Sequence, residues 1–169
     1  MSLLPNARTL PAKSGEDIES RLEPKTAHEV KNGEWIIDPK SGFPGIVSNI
    51  KASKTGKHGH IKVTFQCDMP FSGKTSSLMH AGGDRLLSPR MERKEFSVSD
   101  YNDGEITVLD DNGDERYITC SEESEVGIKL MGIIEDGEVG SLTVLIGPQK
   151  KGSKTAELVE MPEAVKVQN

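Results

Sequence analysis

Residues 51–63, KASKTGKHGHIKV, hold four lysines (Lys51, Lys54, Lys57 and Lys62) and two histidines (His58 and His60) around Gly56 and Gly59, without one carboxylate. From residue 39 to residue 67 there are five lysines and no acid at all. Surfaces ordinarily intersperse both signs, so a bare cationic run weighs against a merely solvated turn. Two chemistries remain open for it: gripping phosphates, or the use of one lysine amine as a reactive group. Several lysine–phosphate contacts would give sequence-independent, salt-sensitive binding. With only Phe43 and Phe65 nearby, base stacking is not the expected main mode.

Other constellations fail on spacing. Ser72 to Ser76, SGKTS, resembles the end of a phosphate-binding loop, but Asp68 stands where that motif needs its first glycine, and strand-like sequence lies on both sides. His58 and His60 fall on one side of an extended chain, yet His28, His80, Cys67 and Cys120 complete no metal-ligand spacing with them. No nucleophile elbow, catalytic carboxylate pair or Cys/His pairing is visible. The expectation is a protein that is not an enzyme and binds neither metal nor cofactor.

The elements that must carry the cationic run are strands. EWIID, FPGIVSNIKAS and HIKVTFQCD read as three, and in the last Ile61, Val63, Phe65 and Cys67 alternate with polar residues, so they share one face. The run is then the loop of a long hairpin, and Gly56 and Gly59 display Lys57 at its tip. TSSLMH and DRLLSP continue the pattern until Pro89. KEFSVSDYNDGEITVLDDNGDERYITC reads as a meander, with Asp103-Gly104 and Asn112-Gly113 as two-residue hairpin turns. SEESEVGIKLMGI fits a short helix capped by Ser121 or Ser124, and GSLTVLIG a closing strand.

The net charge of −6 over 169 residues conceals a division: residues 31–90 hold nine Lys/Arg against four Asp/Glu, and residues 91–169 eight against eighteen. Opposite fields favour two modules over the competing single β-sandwich, with the basic one aimed at a polyanion. The expected organisation is a mobile extension over 1–24, a basic domain over 25–90, an acidic domain over 91–150 and a tail over 151–169. Cys67 and Cys120 read as buried reduced thiols, and no run approaches the length of a membrane span or a secretory signal, which points to the cytoplasm.

SKTGKHGH, residues 53–60, resembles the hypusine loop of the translation initiation factor 5A family, which is related to bacterial elongation factor P. KNG at 31–33, FPGIV at 43–47, FSGK at 71–74, Pro89, EF at 95–96 and DG at 103–104 fall where that family has similar landmarks. The likeness runs from residue 31 to about 120, weakens through 147 and is absent from both ends. Gly45, GGDR at 82–85, three extra residues in DPKSG at 38–42, and the segment after Pro148 depart from the family's pattern.

The resemblance implies an all-β chain of two small barrels, an SH3-like N-terminal domain carrying the loop and a C-terminal OB-fold. It implies that Lys57 is converted to hypusine: deoxyhypusine synthase, using NAD, moves the aminobutyl group of spermidine onto the lysine, and deoxyhypusine hydroxylase completes the side chain. It further implies a cytoplasmic elongation and termination factor, monomeric or weakly dimeric, that binds the ribosome's exit site. There the modified arm would position peptidyl-tRNA at stalling sequences such as consecutive prolines. Lys51, Ser53, Lys54, Thr55, Gly56, His58, Gly59, His60 and Lys62 would form the tRNA and ribosome contact. A scaffolding paralogue without the modification, or a general RNA-binding protein, are the alternatives.

Overall fold

The computed structural model describes residues 2–11, 13, 15–54 and 59–169. These form β1 (Arg8–Leu10), β2 (Leu22–Thr26), β3 (Trp35–Ile37), β4 (Pro44–Lys54), β5 (Ile61–Met69), β6 (Lys74–Ala81), β7 (Arg85–Pro89), β8 (Glu92–Asn102), β9 (Glu105–Leu109), β10 (Glu115–Thr119), α1 (Glu125–Glu135), β11 (Gly140–Gln149) and β12 (Glu157–Val167). Among the described residues no helix is long and apolar enough to cross a membrane.

The chain divides into two compact units. One comprises residues 1–2, 10–91 and 147–159; the other comprises 3–9, 92–146 and 160–169. In the first, β3, β4, β5 and β6 form an antiparallel sheet in that order, and β2 pairs with β7. Its core follows from the period of two: Val63, Phe65, Cys67 and Met69 all point inward from β5 and meet Val47, Leu78, Leu86 and Ile36. Each such aliphatic or aromatic side chain contributes about 1.5–3 kcal/mol by leaving water.

In the second unit the sheet order is β1-β12-β11-β8-β9-β10. Ile106, Val108, Ile118, Leu142 and Val144 fill its interior, and α1 adds Leu130 and Ile133. Ser124 caps α1 by accepting the Gly127 N–H at 3.1 Å. β4 and β8, each eleven residues long, both carry a register shift, between Val47 and Asn49 and between Val98 and Asp100. The extra residue is a serine both times: Ser48 Oγ donates to the Gln66 carbonyl at 3.1 Å and Ser99 Oγ to the Thr107 carbonyl at 3.2 Å. The hydroxyl thus supplies a donor where the bulge interrupts the ladder.

Three expectations change. Residues 1–24, read as a mobile extension, contribute β1, a 3-10 turn at Glu19–Arg21 and the start of β2. Asn6 also anchors the segment, its Oδ1 accepting the Ser121 N–H at 2.7 Å. Residues 151–169, read as a tail, contain β12, which lies between β1 and β11, so β11 is not the closing strand. The buried carboxylate of Glu160 holds β12 there by pairing with Arg8 and Arg116. Of the two hairpin turns, Asp103-Gly104 is a two-residue turn with φ of 50° and 73°. Asn112-Gly113 instead belongs to a longer loop organised by Asp110, whose Oδ1 accepts the N–H groups of both Asn112 and Asp114.

Candidate functional site

The cationic run is held by the β4–β5 hairpin, whose ladder continues through Lys51↔Thr64, Ala52↔Val63 and Ser53↔Lys62 to Lys54↔Ile61. Thr55, Gly56, Lys57 and His58 lie outside the described residues. The final residues of β4, 51–54, are all exposed, as are Ile61 and Lys62 facing them. The ladder therefore outruns the core and carries its last pairs into solvent.

Alternation then sorts the predicted site residues. Lys51, Ser53, Lys62 and Thr64 share the face away from the core, because their neighbours Val63 and Phe65 are buried on the other side. Lys51 and Lys62 are diagonal neighbours there, close enough for two ammonium groups to repel unless an anion lies between them. Lys54 takes the opposite face. It lines an open cleft of about 570 Å3 with Gly59, His60, Ile61, His28 and Asp84. Neither Lys51, Lys54 nor Lys62 makes an ion pair among the described residues. The structure brings the described residues of the predicted set to one hairpin end but places them on two surfaces.

His28 and Asp84 were not singled out for this site by the sequence. The β2–β7 pairing brings them in: Ala27 N–H donates to the Asp84 carbonyl at 2.8 Å and His28 N–H to the Gly82 carbonyl at 3.0 Å. His28 Nδ1 also lies 2.7 Å from that carbonyl, which can only accept, so Nδ1 carries the proton. Asp84 Oδ2 accepts the Ala81 N–H at 3.0 Å and faces His80 Nδ1 at 3.5 Å. Gly82 N–H donates to the Ile61 carbonyl at 2.7 Å, fixing this turn beside the hairpin. No local pattern announces the approach of His28 to Gly82, since the two residues are 54 positions apart.

The other chemistries resolve structurally. SGKTS lies in a turn leading into β6, with Ser72 buried and no helix following. Among the described residues no three His, Cys, Asp or Glu side chains gather as a metal site. Both cysteines are buried free thiols.

These features define a two-unit β protein with a cationic hairpin whose Lys51, Lys54 and Lys62 make no ion pair among the described residues. Residues 20–82 match the family model described as translation initiation factor 5A-like, N-terminal. The eukaryotic translation initiation factor 5A of Dictyostelium discoideum is 30% identical over 122 residues, covering 72% of this chain and 75% of that protein. Factor 5A-1 of Saccharomyces cerevisiae is 28% identical over 115 residues, covering 68% and 71%.

Among solved structures, a translation initiation factor 5A family protein from Naegleria fowleri superposes with a TM-score of 0.70 at 20% identity, covering 87% of this chain and 99% of that one. The Methanococcus jannaschii factor 5A gives 0.62 at 15%, covering 89% and 99%. These two likenesses speak to the fold, an SH3-like barrel and an OB-fold. The chain belongs to the translation initiation factor 5A family, a family of translation factors.

Proposed function

We propose that this chain is a hypusine-dependent factor that docks at the ribosome's exit site and uses an extended Lys57 side chain to position peptidyl-tRNA where peptide-bond formation stalls. The observation that supports this reading is the uninterrupted SKTGKHGH sequence, residues 53–60, set at the end of a ladder that runs past its core.

The chemistry required of the loop is modest. An amine attacks only when deprotonated, and the modifying synthase would supply the dry, deprotonating site. A C–N bond of spermidine breaks, its aminobutyl group joins the lysine nitrogen and 1,3-diaminopropane departs; a hydroxylase, with dioxygen as oxidant, finishes the side chain, and the factor is the substrate of both. The lengthened arm carries a second amine further from the backbone than any standard side chain reaches. Lys51 and Lys62 on one face, and Lys54 and His60 on the other, would hold phosphates on both sides of it. The catalytic gain is positional: a tRNA end held in a productive geometry reaches the transition state with less entropy to lose, while the ribosome performs the chemistry.

Mass spectrometry of the Lys57 peptide from the native cell tests the first step, and an unmodified peptide would reject it. Lys57→Arg keeps the charge but removes the modifiable amine. It should abolish translation through consecutive prolines, and undiminished translation would argue for a scaffolding or general RNA-binding role instead.

A further inference from the structure

Two turns of the basic unit, one just before β4 and one after β11, dock on one another. In the first, residues 38–42, the buried Asp38 carboxylate accepts the Lys40 N–H at 2.9 Å and the Ser41 hydroxyl at 3.0 Å. The Gly42 carbonyl accepts the Lys150 N–H at 2.9 Å. A methyl group on Gly42 would lie 2.8 Å from Lys151 Cβ, so only glycine permits this approach. In the second turn Lys154 N–H donates to the Lys151 carbonyl at 3.2 Å. One Glu19 oxygen accepts both Lys150 Nζ at 2.8 Å and the Ala156 N–H at 3.0 Å.

The two turns enclose a cleft of about 140 Å3 lined by Ser41, Gln149, Lys150, Lys151, Lys154 and Thr155, with Glu157 as its one carboxylate. Glu19 neutralises Lys150 alone. Lys151 and Lys154 are exposed and make no ion pair among the described residues, and exposed Lys40 adjoins Ser41 in the chain.

We propose that this cleft is a second anion site, one that binds the phosphodiester backbone of RNA. The Lys151 and Lys154 ammonium groups beside the Thr155 hydroxyl, on a braced frame, match phosphate oxygens. No aromatic residue lines the cleft, so recognition is of backbone and not of bases. The cleft's unit carries fifteen Lys/Arg against ten Asp/Glu, a field that draws a polyanion in. This contact is independent of the state of Lys57.

The test is fluorescence anisotropy of a labelled oligouridine with the full chain across a salt series. Lys151→Ala with Lys154→Ala should weaken binding about fivefold or more and reduce the slope of log affinity against log salt by about 0.7 per lost contact. Lys151→Arg with Lys154→Arg should restore both. An unchanged slope overturns the proposal, as does an equal loss in a control with Lys31→Ala and Lys74→Ala, two exposed lysines of the same unit outside the cleft. Displacement of the RNA by pyrophosphate as tightly as by unlabelled RNA would reassign the cleft to a small anion. Protein with and without the Lys57 modification should lose the same factor on Lys151→Ala with Lys154→Ala, so failure here and failure of the hypusine reading are separate results.

Discussion

Arg8 and Glu160, 152 positions apart, meet through a 2.7 Å hydrogen bond from Nε to Oε1. Arg116 binds the same carboxylate through both oxygens at 2.9 and 2.7 Å, and Arg8 Nη2 also donates to the Tyr117 carbonyl at 2.6 Å. Because β1 and β10 are opposite ends of the sheet order, these bonds draw its two edges together around a carboxylate that is 0% exposed. Removing this carboxylate breaks three charge-assisted hydrogen bonds at once and opens a cavity, whereas removing Arg8 leaves the carboxylate paired with Arg116 through both oxygens. Glu160→Ala should cost about 2–4 kcal/mol. Arg8→Ala, at a half-exposed partner whose role Arg116 partly covers, should cost about 1 kcal/mol. Urea midpoints report both, and equal losses would contradict this asymmetry.

The two glycines inside α1 should respond in opposite directions. A methyl at Gly127 would stand 2.1 Å from the Ser121 carbonyl oxygen and 2.8 Å from the Tyr101 hydroxyl, whereas at Gly132 nothing lies within 4 Å. Gly127→Ala should destabilise by about 2 kcal/mol or more. Gly132→Ala should stabilise by about 0.5–1 kcal/mol through helix propensity. Thermal melts of the two variants give the signs directly.

Acid should loosen the turn held by Glu19. The Lys150 side-chain hydrogen bond, and after it the Ala156 N–H, hold this carboxyl below its ordinary range. A depressed folded value means its stabilisation is complete above the unfolded pKa and is lost as pH falls through the folded one. The melting difference between wild type and Glu19→Gln should be constant near neutrality, begin to shrink as pH falls towards the ordinary carboxyl range of about 4, and disappear below the depressed folded value. A difference that widens in acid would refute this.

Burial pushes the Cys67 thiol up to about 11, with Asp38 and Asp68 adding to the effect, and burial raises Cys120 as well. Little thiolate exists at neutral pH and neither sulfur is accessible. A chromogenic disulfide reagent should titrate no thiol in the native protein and two after denaturation. Rapid native reaction of either cysteine would show that its unit opens more readily than its packing implies.

Strands with a clean period of two, such as β5, were legible in the sequence because one face is wholly apolar. β12 was not: Glu160 points inward, where the pattern demands an apolar residue, and Pro162 reads as a strand breaker. Only Arg8 and Arg116, distant in sequence, make that glutamate tolerable. β1 has three residues, too few for any period. The cationic hairpin was legible from composition. The face taken by each of its lysines was not, because the bulge beyond Val47 resets the alternation through a local backbone choice. Similarly, Asp110 captured the loop at Asn112-Gly113 by hydrogen bonds that dipeptide rules do not weigh.

Placing β12 between β1 and β11 makes this sheet dependent on vectorial synthesis. A nascent chain that has emerged only as far as β11 still lacks the strand that separates its earliest segment from the rest, and a free β11 flank is open to capture by neighbouring polypeptides. Messages cut short before the codons for residues 157–167 should therefore yield aggregation-prone fragments needing chaperones, whatever their codon content upstream.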